Sequence, residues 1–389
     1  MRAFIAAITM VVMVAGSTAT SSLFVSYRAQ WGITSADIAI VFAVYVGTLL
    51  PILVFFSGLA ERFGRRPVAT AGILSMAAGL LTLTLAHSLP LLIVARLFQG
   101  AGVGLAIGAL TAALADSYRG KLPTGTVLQS VAAIGLFTGP AISAIAFNFG
   151  GGVNLSYVPA LGLVIGLFAL TPFITERATD AVNVPAVEER LPAATVASAL
   201  RFALPVAFVS WAGVSLYLSL VPSYLATTLH AANPAIGAAA VFAAQFTSLI
   251  VTIRLRNIAP QRGALLGAIA SVGGLALLVI GTSTNLWSLI ILATLLVGGG
   301  SGVASAAAFG IAGRIGRGQR TRVFARMYVA MYSGYSVPAL TIGLIEVHAS
   351  FAVAFTVVTA ALAVITATLP LLRERDAQPA AACELAPAA

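Results

Sequence analysis

The stretch Ser57–Val68, SGLAERFGRRPV, gathers one acid, three arginines, two glycines and a proline between two long apolar runs. A charge at the centre of a bilayer costs ~2.5–3.5 kcal/mol on insertion scales, so such a cluster has to lie outside the hydrocarbon. It marks a short loop between two membrane spans, and the remainder of the chain can be read outward from it.

Of the 389 residues, 60% are hydrophobic and 8% charged, whereas soluble domains carry roughly 25% charged residues. Too little polar surface is present to cover a soluble globule. Apolar runs of ~20 residues recur along the chain, the length that a ~30 Å hydrocarbon core requires of a helix. An outer-membrane barrel would instead show segments of ~10 residues with alternating polarity. The sequence therefore predicts an all-α polytopic membrane protein. Its spans are Ala3–Tyr27, Ala36–Leu59, Val68–Ala86, Leu89–Ser117, Leu122–Phe149 and Gly152–Ile174, then Ala199–Leu229, Ala235–Ile253, Gly263–Gly281, Leu286–Ala312, Val323–Val347 and Ser350–Leu372. Arg2 ahead of an apolar stretch imitates a secretory signal, but the run continues to Tyr27 and is kept as the first span.

The basic residues orient this parse. Of the 21 lysines and arginines, all but Arg28 and Arg96 fall on the side of the N-terminus. By the positive-inside rule that side is cytoplasmic, so both termini are expected in the cytoplasm and the chain in the inner (plasma) membrane. The net charge of +10 is then topology and attraction to a lipid bilayer, and no nucleic-acid partner is expected. The single cysteine, Cys383, excludes an internal disulfide. No phosphate-binding loop, nucleophile elbow or metal-ligand cluster is present, so neither an enzyme nor a cofactor is expected.

The chain also repeats. Arg96–Ala106, RLFQGAGVGLA, aligns without a gap to Thr294–Ala304, TLLVGGGSGVA. Gly100, Gly102 and Gly104 fall on Gly298, Gly300 and Gly302, which places the fourth and tenth spans at matching points of two six-span halves. The expected organisation is a six-helix bundle over 1–174, a charged cytoplasmic linker over 175–198, a second bundle over 199–373 and a disordered tail over 374–389. Two related helical bundles with a binding site between them form a recurrent secondary-transporter plan.

Against this background Ser57–Val68 resembles the loop signature Gly-x-Leu-Ala-Asp-Arg-x-Gly-Arg-Arg between the second and third spans of the major facilitator superfamily. Leu59, Ala60, Arg62, Gly64, Arg65 and Arg66 match; Ser57 replaces a Gly and Glu61 an Asp. The resemblance implies a conformational latch made by Ser57, Gly58, Glu61, Arg62, Gly64, Arg65 and Arg66, with arginine forks and a carboxylate bridging helix ends. A basic loop that only fixes topology is the alternative. Arg96-Leu-Phe-Gln99-Gly100-Ala-Gly102 looks like the family's Arg-x-x-Gln-Gly-x-Gly pattern, which implies a part for Arg96 in proton coupling. Snorkelling of Arg96 to the outer interface is the alternative. Gly135-Leu-Phe-Thr-Gly139-Pro140 resembles an element of the superfamily's drug:proton antiporter branches, where it bends the fifth span and packs on the second half. The Gly-Gly that continues the element is replaced here by Ala141-Ile142-Ser143-Ala144.

The same resemblance implies that the first, fourth, seventh and tenth spans line the cavity. Candidate cavity residues are Gln99, Trp211, Ser215 and Gln245, with Tyr328, Tyr332 and Tyr335 as a stripe ahead of Pro338. Each of them serves equally well as contact between helices or as interfacial aromatic belt. A mostly apolar, aromatic lining with scattered hydrogen-bonding groups suits small hydrophobic or amphipathic molecules. Candidates for coupling beside Arg96 are Asp37, Glu346 and Asp116, the last of these more naturally a group bridging the inner end of its helix. The expectation is a monomeric, proton-coupled exporter of such compounds working by alternating access. The competing reading is a facilitator-type importer or exchanger of a small metabolite or sugar on the same fold.

Overall fold

The computed structural model describes residues 2–56, 59–118, 120–174, 193–219, 221, 234–313, 320–346 and 348–372. Its principal helices are α1 (Arg2–Thr18), α2 (Ser35–Phe55), α3 (Arg65–Thr84), α4 (Leu89–Ser117), α5 (Thr124–Ala146) and α6 (Val158–Gly166), then α7 (Ala193–Ser219), α8 (Pro234–Arg254), α9 (Pro260–Ser283), α10 (Trp287–Gly313), α11 (Arg320–Glu346) and α12 (Phe351–Leu372). Among the described residues ten segments are long and apolar enough to cross a membrane, and two further apolar helices, Ile40–Phe55 and Ala239–Arg254, are shorter.

Among the described residues the first and sixth spans are interrupted within their length, and the fifth ends in a π-helical segment at Phe147–Gly151. The first is α1, a 3₁₀ turn at Ser21–Leu23 and a short helix at Phe24–Trp31 that Gly32 caps with φ +63°. The sixth is Gly152–Leu155, α6 and a 3₁₀ segment at Leu167–Phe173. Elsewhere local chemistry sets the ends. Thr34 and Asp37 form a capping box that starts α2. Gly64 precedes α3 at φ +92°, a conformation that a residue with a Cβ rarely adopts. The seventh span begins at Ala193, so the last residues of the expected linker are helical; 175–192 and the tail 374–389 lie outside the described residues.

The helices form two pseudo-symmetric six-helix bundles. α3 packs on α4 as α9 packs on α10, and α2 packs on α4 as α8 does on α10. α1 rests on α4 and α5 as α7 rests on α10 and α11, and α6 on α3 as α12 on α9. The glycines explain why these crossings repeat. A Cβ on Gly102 would lie 2.8 Å from Gly72 O, and one on Gly300 would lie 2.6 Å from Gly267 O, the equivalent carbonyl. Gly100 and Gly104 meet α2 at Tyr45 and Ile52, while Gly298 and Gly302 meet α8 at Ala244 and Ser248. In lipid, where no hydrophobic force drives helices together, this close backbone approach supplies the packing energy.

Between the bundles the main contacts are α5 with α8 and α10, and, by the same two-fold operation, α11 with α2 and α4. One end of the molecule carries Arg62, Arg65, Arg66, Lys121, Arg254, Arg256 and Arg262, and there the bundles touch directly: Gly125 of α5 lies against Ala306 and Gly310 of α10.

Candidate functional site

The site is built on α4. Arg96 lies seven residues inside Leu89, ~10 Å along the axis at ~1.5 Å per residue, and is only 2% exposed. Its Nη1 donates to Ser17 O (2.8 Å) and to Gln99 Oε1 (2.9 Å), and Gln99 Nε2 donates to Gly16 O (3.0 Å). These carbonyls belong to the last turn of α1, which lacks continuing helical partners because the helix stops at Thr18. The end of a helix also carries roughly half a negative charge, which favours a cation there. The discontinuity of the first span and the buried arginine are thus one feature. The snorkelling alternative does not apply here, since the guanidinium is held inward.

Aromatic rings enclose the rest of the guanidinium. Its central carbon stands 5.7 Å from the rings of Phe42 and Tyr45 and 5.8 Å from that of Phe24, within cation–π range. The rings continue across the boundary between the bundles. Phe42 meets Tyr335 at 5.7 Å and Tyr45 meets Tyr332 at 6.3 Å, while Trp211 of α7 stands 5.1 Å from Tyr332 and 6.3 Å from Tyr335. Tyr328, one turn along α11, bonds Thr111 of α4 (2.7 Å) and packs on Phe309 at 5.7 Å. The tyrosine stripe therefore belongs to the seam between the bundles and not to an interfacial belt.

The repeat breaks at this point. Arg96 and Gln99 correspond to Thr294 and Val297, and in the second bundle Tyr217 donates to Thr294 Oγ1 (3.3 Å). The glycine scaffold is duplicated; the charge is not.

Other candidates fall elsewhere. Ser215 donates to Tyr335 O, a link between α7 and α11 within one bundle. Gln245 is buried on α8, on the face shared with Ser248 and Thr252, and Ser248 accepts from Gln129 of α5 (3.4 Å). Beneath them, at the arginine-rich end, a cavity of about 60 Å³ is lined by Thr126, Thr252, Arg256 and Ala307 among others.

Asp37 is not beside Arg96. Its carboxylate accepts from the backbone N–H (2.7 Å) and the hydroxyl (2.7 Å) of Thr34, and these bonds, the backbone one foremost, hold it below the usual carboxylate range. Glu346 is half-buried at the last residue of α11, and the ionisable side chains around Arg96 are Tyr335, Tyr157, Tyr45 and Tyr27. Asp116 is at the other end of α4 from Arg96, and its side chain and that of Glu61 lie outside the described residues, as do Ser57 and Gly58 of the latch. In the remainder of that loop Arg62 stacks on Phe63 at 5.2 Å. The element Gly135–Pro140 corrects an expectation: Gly135 and Gly139 face α1 of their own bundle, at Val14 and at Ala15 and Thr18. The second bundle is met by other residues of α5, namely Gly125, Gln129 and Phe137, because the paired glycines serve the crossing of α1 with α5.

Sequence reasoning missed Phe24, Phe42, Tyr45 and Thr111. A usable signal was there: Phe42 and Tyr45 are three apart on the second span, at a depth from its outer end similar to that of Arg96.

A family model described as Major Facilitator Superfamily matches residues 5–250. The chain belongs to the major facilitator superfamily. It is 34% identical over 97 residues to the multidrug resistance protein MdtL of Shewanella sp. (strain ANA-3), a match spanning 24% of this chain and 24% of that protein's length. The crystal structure of the human organic anion transporter MFSD10 (TETRAN) covers 95% of this chain and 98% of its own with a TM-score of 0.69, at 16% identity, which is a likeness of fold. As a member of that superfamily the chain is a multi-pass membrane protein with the fold of a superfamily transporter.

Proposed function

We propose that this superfamily member exports small hydrophobic or amphipathic compounds in exchange for protons, by rocking two bundles, 1–174 and 199–373, about a site between them. The observation that carries this reading is the aromatic seam. Phe42 and Tyr45 come from one bundle and Trp211, Tyr332 and Tyr335 from the other, so the surface that would hold a compound is assembled when the bundles close and divided when they part. The partial likeness to a multidrug resistance protein supports export. The chain has no nucleotide-binding loop, so an ion gradient supplies the energy, and protons are the counter-ion that the Arg96 motif suggests. The asymmetry of Lys and Arg favours cytoplasmic termini and an inner-membrane location, with the chain acting as a monomer. The arginine-rich loop acts as the latch, so Arg65→Ala or Arg66→Ala lowers transport while leaving membrane insertion intact.

The test is transport of a fluorescent amphipathic dye in cells and in inverted vesicles with an imposed proton gradient. Expression is expected to lower cellular accumulation, and collapse of the gradient to abolish the effect. A rise in accumulation on expression refutes export; export that persists unchanged without the gradient refutes proton exchange.

A further inference from the structure

The surroundings of Arg96 narrow the chemical class that fits the site. A lone buried cation carries a desolvation cost of several kcal/mol that an opposite charge normally offsets. Here the adjoining end of α1 contributes only about half a charge, and among the described residues the ionisable groups that act on the guanidinium are the four tyrosines Tyr335, Tyr157, Tyr45 and Tyr27. The site is therefore net positive in a low-dielectric setting. The guanidinium is also not fully used. Nη1 makes both of the bonds to protein, to Ser17 O and Gln99 Oε1, whereas Nε is buried without a partner. The edge formed by Nε and Nη2 presents two parallel N–H groups, the geometry that receives a carboxylate through two bonds.

We propose that Arg96 binds the acidic group of the cargo: the transported compounds are organic anions with a single carboxylate or comparable group, whose aromatic body lies along Trp211, Tyr332 and Tyr335. This rests on the transport reading above and specifies its substrate class. The anion completes the charge balance of Arg96, the rings take up the apolar body by stacking, and a lipophilic cation is turned away by the guanidinium although the rings alone would welcome it. Thr294 and Tyr217, at the equivalent place in the second bundle, satisfy each other, so the anion has one docking point.

The test uses the purified full chain and three ligands that share one ring system: 2-naphthoate, 2-naphthylmethanol and (2-naphthylmethyl)trimethylammonium. Affinities come from calorimetric titration at low salt. The expected order is naphthoate about tenfold or more tighter than the alcohol, with the ammonium weakest, since an ionic bidentate pair exceeds a neutral hydrogen bond by about that factor. Arg96→Gln is expected to lose the preference for the anion over the alcohol, and Arg96→Lys to retain part of it. On the wild-type protein alone, lowering the pH through the ligand's own pKa must erase the preference, and a preference that persists overturns the anion assignment even where Arg96→Gln fails to fold. Ammonium binding as tight as naphthoate, or a preference that survives in Arg96→Gln, overturns the proposal. Equal binding of all three ligands overturns the anion assignment and leaves the transport reading standing; no binding of any of them overturns both.

Discussion

Replacing Gly125 with alanine separates the mechanics of the seam from the stability of the bundles. Gly125 sits in the first turn of α5, at the arginine-rich end, against α10 of the other bundle. A Cβ there would lie 2.8 Å from Gly310 N and closer still to Ala306 O, where unstrained carbon contacts run ~3.5–4.0 Å. The obstructing atoms are backbone and have no rotamer to change, so the helices must part by roughly an ångström. Because they belong to different bundles, the bundles relieve the overlap by separating at this end. Overpacking costs about 1–3 kcal/mol. Charged to the closed arrangement alone, that lowers its population against the opened one by about 5- to 150-fold. The assay is the labelling rate, by a membrane-impermeant maleimide, of Ala307→Cys in a Cys383→Ser background. Ala307 is 8% exposed and lines the cavity beneath the seam, so its rate reports opening at that end. The expected result is faster labelling with a thermal midpoint close to wild type. Unchanged labelling, or a large drop in midpoint without it, refutes the argument.

The matching substitution inside a bundle behaves in the opposite way. Gly298→Ala sets a Cβ 2.8 Å from Ala244 Cα across the crossing of α8 with α10, and is expected to cost about 1–3 kcal/mol of stability with no gain in labelling at 307. Gly273→Ala, with open space around it, is expected to be neutral or stabilising by up to about 1 kcal/mol in thermal unfolding. At Asp37 the sign of the pH dependence follows from its lowered pKa. The capping box adds stability that is fully present above the unfolded value, ~3.9, and is lost as pH falls through the lower folded value. Asp37→Ala should therefore lower the thermal midpoint at neutral pH, and the two proteins should converge below the folded value.

The fold could be read because membranes impose two strong rules, span length and the exclusion of charge, and because Gly100, Gly102 and Gly104 recur at Gly298, Gly300 and Gly302. Arg96 stood out for the same reason: an ionisable group inside a span is rare and costly. What it binds was not legible. Its main-chain acceptor is the carbonyl of Ser17, and that of its partner Gln99 is the carbonyl of Gly16, both exposed by the end of α1, and carbonyls have no signature in sequence. Asp37 drew attention as a carboxylate near the outer end of the second span, yet the Thr34-x-x-Asp37 spacing already marked a capping box. The rings of Phe24, Phe42 and Tyr45 were hidden because an aromatic residue in an apolar span differs little in polarity from its neighbours. The direction in which Gly135 and Gly139 face was hidden as well, since spacing fixes which residues share a side of a helix and leaves open what stands opposite.

An exact duplication would show a guest the same wall twice, and either way round would serve equally well. With arginine at 96 and threonine at 294 the two walls differ, so a molecule lying across the seam has a head end and a tail end, and only one orientation brings a given group to the guanidinium. The copied glycines give the two halves the same helix crossings. The one place where the copy fails gives whatever sits between them a fixed sense.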